Sequence, residues 1–192
     1  MAHAEETSDP RELRLRNPYT KRQNLRRVAW WIVEFFLFKL SLRTMHRWRC
    51  WLLRMFGAKI GDTVNIHRTA RIEFPWNLEI GRFSTIAEGA WIYNLDKVVI
   101  GDFVVISQRA FVCCGTHDYT RPDRPLVTKP VVIESGVWVA VDVFISPGVR
   151  IGNNSVIGAR SVVTKDMPAE MVCAGHPCLP IKNRVPCIPE AT

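Results

Sequence analysis

From Ile60 onward, aliphatic residues return every six positions, a period that suits neither an amphipathic helix nor an alternating strand. The sets are Ile60, Ile66, Ile72; Ile80, Ile86, Ile92; Ile100, Ile106, Val112; then, after a gap, Ile133, Val139, Ile145 and Ile151, Ile157, Val163. Four of the five sets open on Ile-Gly and the fifth on Ile133-Glu134, so one corner recurs from turn to turn. Four residues after most of these aliphatics comes a second small or β-branched residue, among them Val64, Ala70, Ser84, Val104, Thr116, Val137 and Ser155. Two inward positions per hexapeptide let three short strands enclose a narrow triangular core, each turn of chain pairing with the next at about 4.8 Å. The predicted fold is all-β, a parallel β-helix of about five coils over residues 60–168. The stacked Ile and Val side chains are assigned to the core and none of them to chemistry. Open coil ends expose unpaired backbone groups, so the flanking segments are expected to close them.

Those flanking segments differ from the repeats in charge. Residues 1–59 carry 13 Lys/Arg against 5 Asp/Glu, residues 60–168 carry 11 against 11, and residues 169–192 carry 2 against 2. The whole excess of +8 belongs to the N-terminal third, and the repeat domain lacks the basic footprint that nucleic-acid binding demands. Residues 1–27 read as a basic flexible tail, residues 28–59 as amphipathic helices and residues 169–192 as a C-terminal extension. Glu34 and Lys39 interrupt the apolar run from Val28 to Leu42, whose 15 residues would cover about 22 Å as a helix, short of a bilayer's ~30 Å core. A second helix from about Thr44 to Phe56 would put Met45, Trp48, Leu52, Met55 and Phe56 on one face, Arg43, Arg47 and Arg54 on another, and stop at Gly57. Two uses of this module stay open: a cap on the β-helix with its arginines solvated, or peripheral contact with an anionic membrane.

Six cysteines without CxxC spacing, and histidines that complete no zinc pattern, read as small core side chains in a reducing, cytoplasmic setting rather than as metal ligands. The polar, acidic start lacks the form of a secretory signal. Between Val112 and Ile133 the six-residue beat fails, and a polar, proline-rich loop, 117–131, leaves the third coil. His117 stands at its root, where the coil can hold the ring, and an imidazole is a candidate general base near neutral pH. A solvated, hydrogen-bonding histidine is the other use of such a position. No G-x-S-x-G elbow is present, and neither Ser nor Cys comes with its own base; Cys113 and Cys114 alternate to opposite faces. A base without a protein nucleophile points to direct transfer onto the substrate.

The Ile-Gly hexapeptides, the loop GTHDY, the run GVWVAVDVFISPGVRIGNNSVIGARSVVTKDMP and the closing AGHPCLPIK together resemble the hexapeptide-repeat acetyltransferases over about residues 60–182. Within that group HRWRCWLLRMFGAKIG, FPWNLEIG and ISQRAFVCCGTHDY are similar to the colanic acid biosynthesis acetyltransferases, from about Trp30 onward. The resemblance implies a left-handed coil, which the period does not fix, a homotrimer, and acetyl-CoA as acyl donor with no metal. It implies O-acetylation of a sugar or exopolysaccharide precursor, at the inner face of the cytoplasmic membrane if the helices bind lipid. His117 matches the catalytic base and the backbone N–H of Val141 the oxyanion donor. Trp138, Ala140, Ala159, Thr164, Lys165 and Lys182 match positions lining the acetyl-CoA site, and Asn94, Asp96 and Asp118 are placed on the acceptor side. Leu179 departs from the arginine of many relatives, and His176 from the residue usual there.

Other readings remain at this point. The acceptor could be an antibiotic or an amine. A zinc site of the γ-carbonic anhydrase kind would need His67, His117 and His176 to converge, which their spacing along the stack opposes. A non-catalytic, membrane-associated scaffold would leave the work to the N-terminal helices.

Overall fold

The computed structural model describes residues 19–185. Five coils of three short strands follow one another. The first holds β1 (Lys59–Ile60), β2 (Asn65–Ile66) and β3 (Arg71–Ile72), and the second β4 (Leu78–Ile80), β5 (Thr85–Ile86) and β6 (Trp91–Tyr93). The third holds β7 (Val98–Ile100), β8 (Val105–Ile106) and β9 (Phe111–Cys113); β10 (Gly115–His117) and β11 (Leu126–Thr128) then interrupt. The fourth holds β12 (Val131–Ile133), β13 (Trp138–Val139) and β14 (Phe144–Ile145), and the fifth β15 (Arg150–Ile151), β16 (Val156–Ile157) and β17 (Val162–Val163). Strands of like position pair in parallel into three sheets: β1-β4-β7-β12-β15 (the first face), β2-β5-β8-β13-β16 (the second) and β3-β6-β9-β14-β17 (the third). The register aligns the repeats, as in Ile60↔Ile80, Ile80↔Ile100 and Ile133↔Ile151. The six-residue aliphatics form the buried axis, Ile60 at the open rim being only partly covered. Thr116 does not take the inward place expected of it; it lies exposed on β10, and Cys114 is buried before the chain leaves the coil.

Two stereochemical devices explain the corners. In four of the five coils a glycine follows the first-face aliphatic and lies under the next coil: a Cβ on Gly101 would stand 2.6 Å from Ser135 N, and one on Gly152 2.5 Å from Ala169 N. At these glycines a Cβ would have to push two coils apart, whereas the fourth coil carries Glu134 in that place. Three residues after the inward aliphatic, the chain turns through left-handed φ, at Thr63, Phe83, Phe103 and Asn154 between the first and second faces and at Arg109, Asp142 and Arg160 between the second and third. Such residues are strained singly, and the ladders on both sides hold them.

The corner between the third and first faces is longer in the first two coils, where Ile72 to Ile80 and Ile92 to Ile100 span eight residues instead of six. Asn94 repairs it. Its amide accepts from Phe74 N–H (3.0 Å) and donates to Phe74 O (2.6 Å), standing in for the backbone pair that the wider corner has lost. The side chain is fully buried, so the acceptor contact expected of Asn94 is corrected to a structural one.

The N-terminal end of the prism is closed by side-chain donors. Helix α1 (Lys21–Val33) starts at a capping box of Thr20 and Gln23, runs into a π-helical segment (Glu34–Lys39), and is followed by α2 (His46–Met55). Residues 21–27 are therefore helical rather than tail, Thr20 caps them, and residues 1–18 of the expected tail lie outside the described residues. Each first-coil strand ends on a carbonyl that the cap satisfies: Arg54 Nη2 donates to Ile60 O (2.8 Å), Arg49 Nε to Ile66 O (2.7 Å) and Trp30 Nε1 to Ile72 O (2.7 Å). Arg49 is fully buried, and its remaining donors go to Ser41 Oγ, the carbonyls of Leu42 and Arg43, and His46 Nδ1. A guanidinium only donates, so at 2.8 Å from Arg49 Nη2 His46 Nδ1 is an acceptor, and its longer 3.3 Å approach to Ile66 O carries no proton. The expectation of solvated cap arginines fails for Arg49; Arg54 stays exposed while it donates to the rim carbonyls. The buried face of α2 is Arg49, Cys50, Leu52 and Leu53, whereas Met45 and Met55 are exposed. Gly57 ends α2 as expected, with φ +94° and the paired bonds Gly57 N to Arg54 O and Ala58 N to Leu53 O.

The other end is closed by backbone. Strand β18 (Met171–Gly175) continues the second face against β16, and β19 (Cys178–Asn183) returns antiparallel along it. Arg184 reaches back to the carbonyls of Gly136 and Asn154, both at 2.9 Å.

Candidate active site

The interruption of the repeats is a β-hairpin rather than an irregular loop. β10 pairs antiparallel with β11 in the register His117↔Leu126. Its tip is built locally: Asp118 Oδ1 accepts from Thr120 N–H (3.0 Å) and Thr120 Oγ1 (2.6 Å), and Arg121 clamps Asp123. Thr120 holds the Asp118 carboxyl below the usual carboxylate range. Asp118 thus fastens the hairpin tip, and no hydrogen bond joins it to the neighbouring imidazole.

His117 is exposed, and its Nδ1 lies 2.7 Å from the carbonyl oxygen of Arg124. A carbonyl can only accept, so Nδ1 carries the proton and Nε2 holds the free lone pair. Arg124 presents that carbonyl from a left-handed conformation, φ +45°. Strain at the residue that orients a candidate base fits a functional position. Nothing in the order of residues announced Arg124; only the hairpin register brings its carbonyl back to the ring.

The neighbouring thiols are unsuited to nucleophilic work. Burial pushes Cys114 up to about 12, and Cys113, also buried, is raised for the same reason. Five cysteines, Cys50, Cys113, Cys114, Cys173 and Cys178, are free and buried, as their core assignment expected; Cys187 lies outside the described residues. Among the described residues no three His, Cys, Asp or Glu side chains gather as metal ligands. His67 sits on the first coil against Thr69 Oγ1 (2.9 Å), far along the stack from His117.

The remaining expected residues fall on two edges of the prism. On the edge between the second and third faces, Trp138 leaves β13 with its indole half-exposed and its Nε1 fixed to Ser107 Oγ at 3.0 Å. Ala140 follows, its N–H bonded to Ile157 O (2.9 Å), then Val141, and one coil on Ala159 stands beneath, set by the register Val139↔Ile157. Val141 gives its carbonyl to Arg160 N–H (2.9 Å), and its own N–H donates to no group among the described residues. On the edge between the third and first faces stand the root of the His117 hairpin and, two coils further, exposed Thr164 and Lys165. Asp96 lies on that edge too, bonded to the Lys97 N–H at 2.7 Å. Lys182 is exposed on β19 at the C-terminal end, and Leu179 and His176 are exposed on the same hairpin. The width of the third face separates His117 from Trp138 and Val141 within one chain. Two grooves, of about 630 Å³ beside Arg54, Lys59 and Glu79 and about 530 Å³ beside His46 and Asp62, lie at the N-terminal end and do not include His117.

A parallel β-helix of hexapeptides that carries a lone oriented imidazole on an inserted hairpin defines a class, and the comparisons with known proteins agree on it. The chain belongs to the hexapeptide-repeat acyltransferases that use acetyl-CoA: residues 130–165 match the family "Bacterial transferase hexapeptide (six repeats)". It is 42% identical over 156 residues, covering 81% of this chain and 86% of the relative, to the Escherichia coli (strain K12) protein named "Putative colanic acid biosynthesis acetyltransferase WcaF". Among solved structures it is similar to a galactoside acetyltransferase in complex with coenzyme A (TM-score 0.81, 28% identity, 88% of this chain and 86% of that one). It is also similar to a maltose O-acetyltransferase from Clostridium difficile 630 (TM-score 0.77, 29% identity, 85% and 89%). A coil of opposite hand could not superpose so closely, and the β-helix is left-handed, as the resemblance implied.

Proposed function

We propose that the protein moves an acetyl group from acetyl-CoA to a hydroxyl of a sugar or glycan precursor, by direct transfer assisted by His117, as a homotrimer with its sites between subunits. The observation that carries this reading is the division of the expected site between two edges of one prism. About a threefold axis, the hairpin edge of one copy faces the Trp138 edge of the next, and the separated groups become opposite walls of one crevice. That arrangement accounts for an oriented imidazole left exposed on a single chain.

In that crevice Nε2 of His117 takes the proton of the acceptor hydroxyl as its oxygen attacks the thioester carbonyl. The tetrahedral intermediate places its oxyanion on the Val141 N–H, a donor that the fold leaves unused. Collapse breaks the C–S bond, and the imidazolium returns the proton to the departing thiolate. Trp138 supplies an apolar wall for the pantetheine arm, with Ala140 and Ala159 leaving room for it. Thr164 and Lys165 line the same arm further on, and Lys182 meets phosphate near the nucleotide end. Asp96 remains on the acceptor side at the hairpin edge. The galactoside and maltose enzymes act on sugars, which supports a sugar acceptor here.

The test is acetyl transfer from acetyl-CoA to a panel of free sugars, nucleotide-sugars and polyprenyl-linked glycans, with amines and antibiotics as controls. Transfer to a sugar hydroxyl, at a mass set by sedimentation equilibrium as three chains, is expected. Transfer confined to amines, or full activity of a monomer, would overturn the reading.

A further inference from the structure

Helix α1 is amphipathic in the unusual sense. Its buried side is narrow, Trp30 with part of Val33, while Leu25, Val28, Ile32 and, one turn on, Phe35 and Phe36 form a longer apolar stripe that faces outward. A surface helix ordinarily turns its wider apolar stripe toward the core. The exposure continues through the π-helical segment and onto α2, which Trp48 ties to that segment through Nε1 to Leu37 O (3.0 Å) while stacking on Trp51. Twelve of the twenty large hydrophobic side chains exposed among the described residues lie between Leu25 and Met55. Such a concentration exceeds the scattered apolar exposure normal for a protein surface.

Charge decides among the possible occupants. Residues 19–59 hold ten Lys/Arg and a single acid, Glu34, which is buried beside Lys39. Lys21, Arg22, Arg43 and Arg47 are exposed around the apolar stripe. A second copy seated on this face would set like cations against each other. An anionic bilayer answers both features at once: aromatic and aliphatic side chains enter the headgroup boundary while guanidinium groups meet lipid phosphates. No helix among the described residues is long and apolar enough to cross the membrane, so the module lies on the surface.

We infer that the face from Leu25 to Met55 docks the protein on a bilayer containing anionic phospholipid. The inference stands on this face alone and does not depend on the acceptor or on His117. The full chain is sedimented with vesicles of phosphatidylcholine, or of phosphatidylcholine mixed with phosphatidylglycerol. Binding is expected to the mixed vesicles only, falling about tenfold between low salt and ~0.5 M salt. F35S/F36S and R43E/R47E should each weaken it about tenfold or more, with unchanged circular dichroism and melting temperature. Failure to bind mixed vesicles, equal binding to both kinds, or binding untouched by F35S/F36S would overturn the inference. So would a wild-type assembly that F35S/F36S splits into smaller ones in sedimentation velocity while vesicles stay bare, since the face would then join protein copies.

Discussion

The coils and the hairpin that they carry use the same chain in opposite ways. In the coils every rung repeats the one below, the inward side chains are interchangeable aliphatics, and stability is a sum of near-identical neighbour contacts. In the hairpin nothing repeats: the pairing is antiparallel, the tip is fastened by Asp118 with Thr120 and Arg121 with Asp123, and His117 is turned out to solvent. The difference teaches that the candidate base stands off the stack that holds the protein together, while on the proposed reading the oxyanion donor and the acetyl-CoA wall stay on the coils. A rigid stack can tolerate an inserted hairpin because the register resumes directly beyond it, Ile100 pairing with Ile133 across 33 residues.

The strongest test of that separation is His117→Ala. Acetyl transfer should fall about a hundred- to ten-thousandfold, the range of a lost general base, with the melting temperature unchanged. A fall of several degrees would show that the hairpin braces the stack after all. Arg49→Met reverses the pattern. It fills similar volume but orphans the carbonyls of Ile66, Leu42 and Arg43, and should cost about 3 kcal/mol of stability in urea unfolding, while enzyme that remains folded keeps its turnover.

A smaller loss, about 2 kcal/mol, is expected for Gly81→Ala, whose Cβ would stand 2.5 Å from Gly101 C in the next coil. Tolerance of this change would mean that the coils breathe more than a stacked ladder allows. The least effect belongs to Asp142→Asn, which removes the bidentate pair with Arg109 but keeps a residue able to adopt φ +58°. Arg109 depresses the Asp142 carboxyl below its ordinary 3.8, so the pair stabilises the fold above that pH and is lost as pH falls through the depressed value. The gap in melting temperature between wild type and variant should be small near neutrality, shrink with salt and close in acid.

Legibility followed repetition. The stack, its five coils and the place of the interruption could be read because a six-residue period reports burial at every turn. His117 was legible as a candidate because it follows the break. Asn94 misled, since an asparagine beside a site looks the same whether its amide meets a substrate or mends a corner; only the Phe74 backbone distinguishes them. The cap misled as well. Helical spacing grouped Met45 and Met55 with Leu52, yet the end of the prism needed donors more than methyl groups, and took Arg49 inward while exposed Arg54 reached over the rim.

What the sequence determined by itself is the β-helix, because the periodic pattern of small and branched side chains leaves one way to hide them all. Tertiary structure decided which polar groups serve that stack and which stay free. The Arg124 carbonyl, set by hairpin register, selects the tautomer of His117, and the open carbonyls of the first coil select the inner face of α2. Both are settled by hydrogen bonds between residues distant along the chain, where an unpaired buried group is costly and no local pattern records the partner.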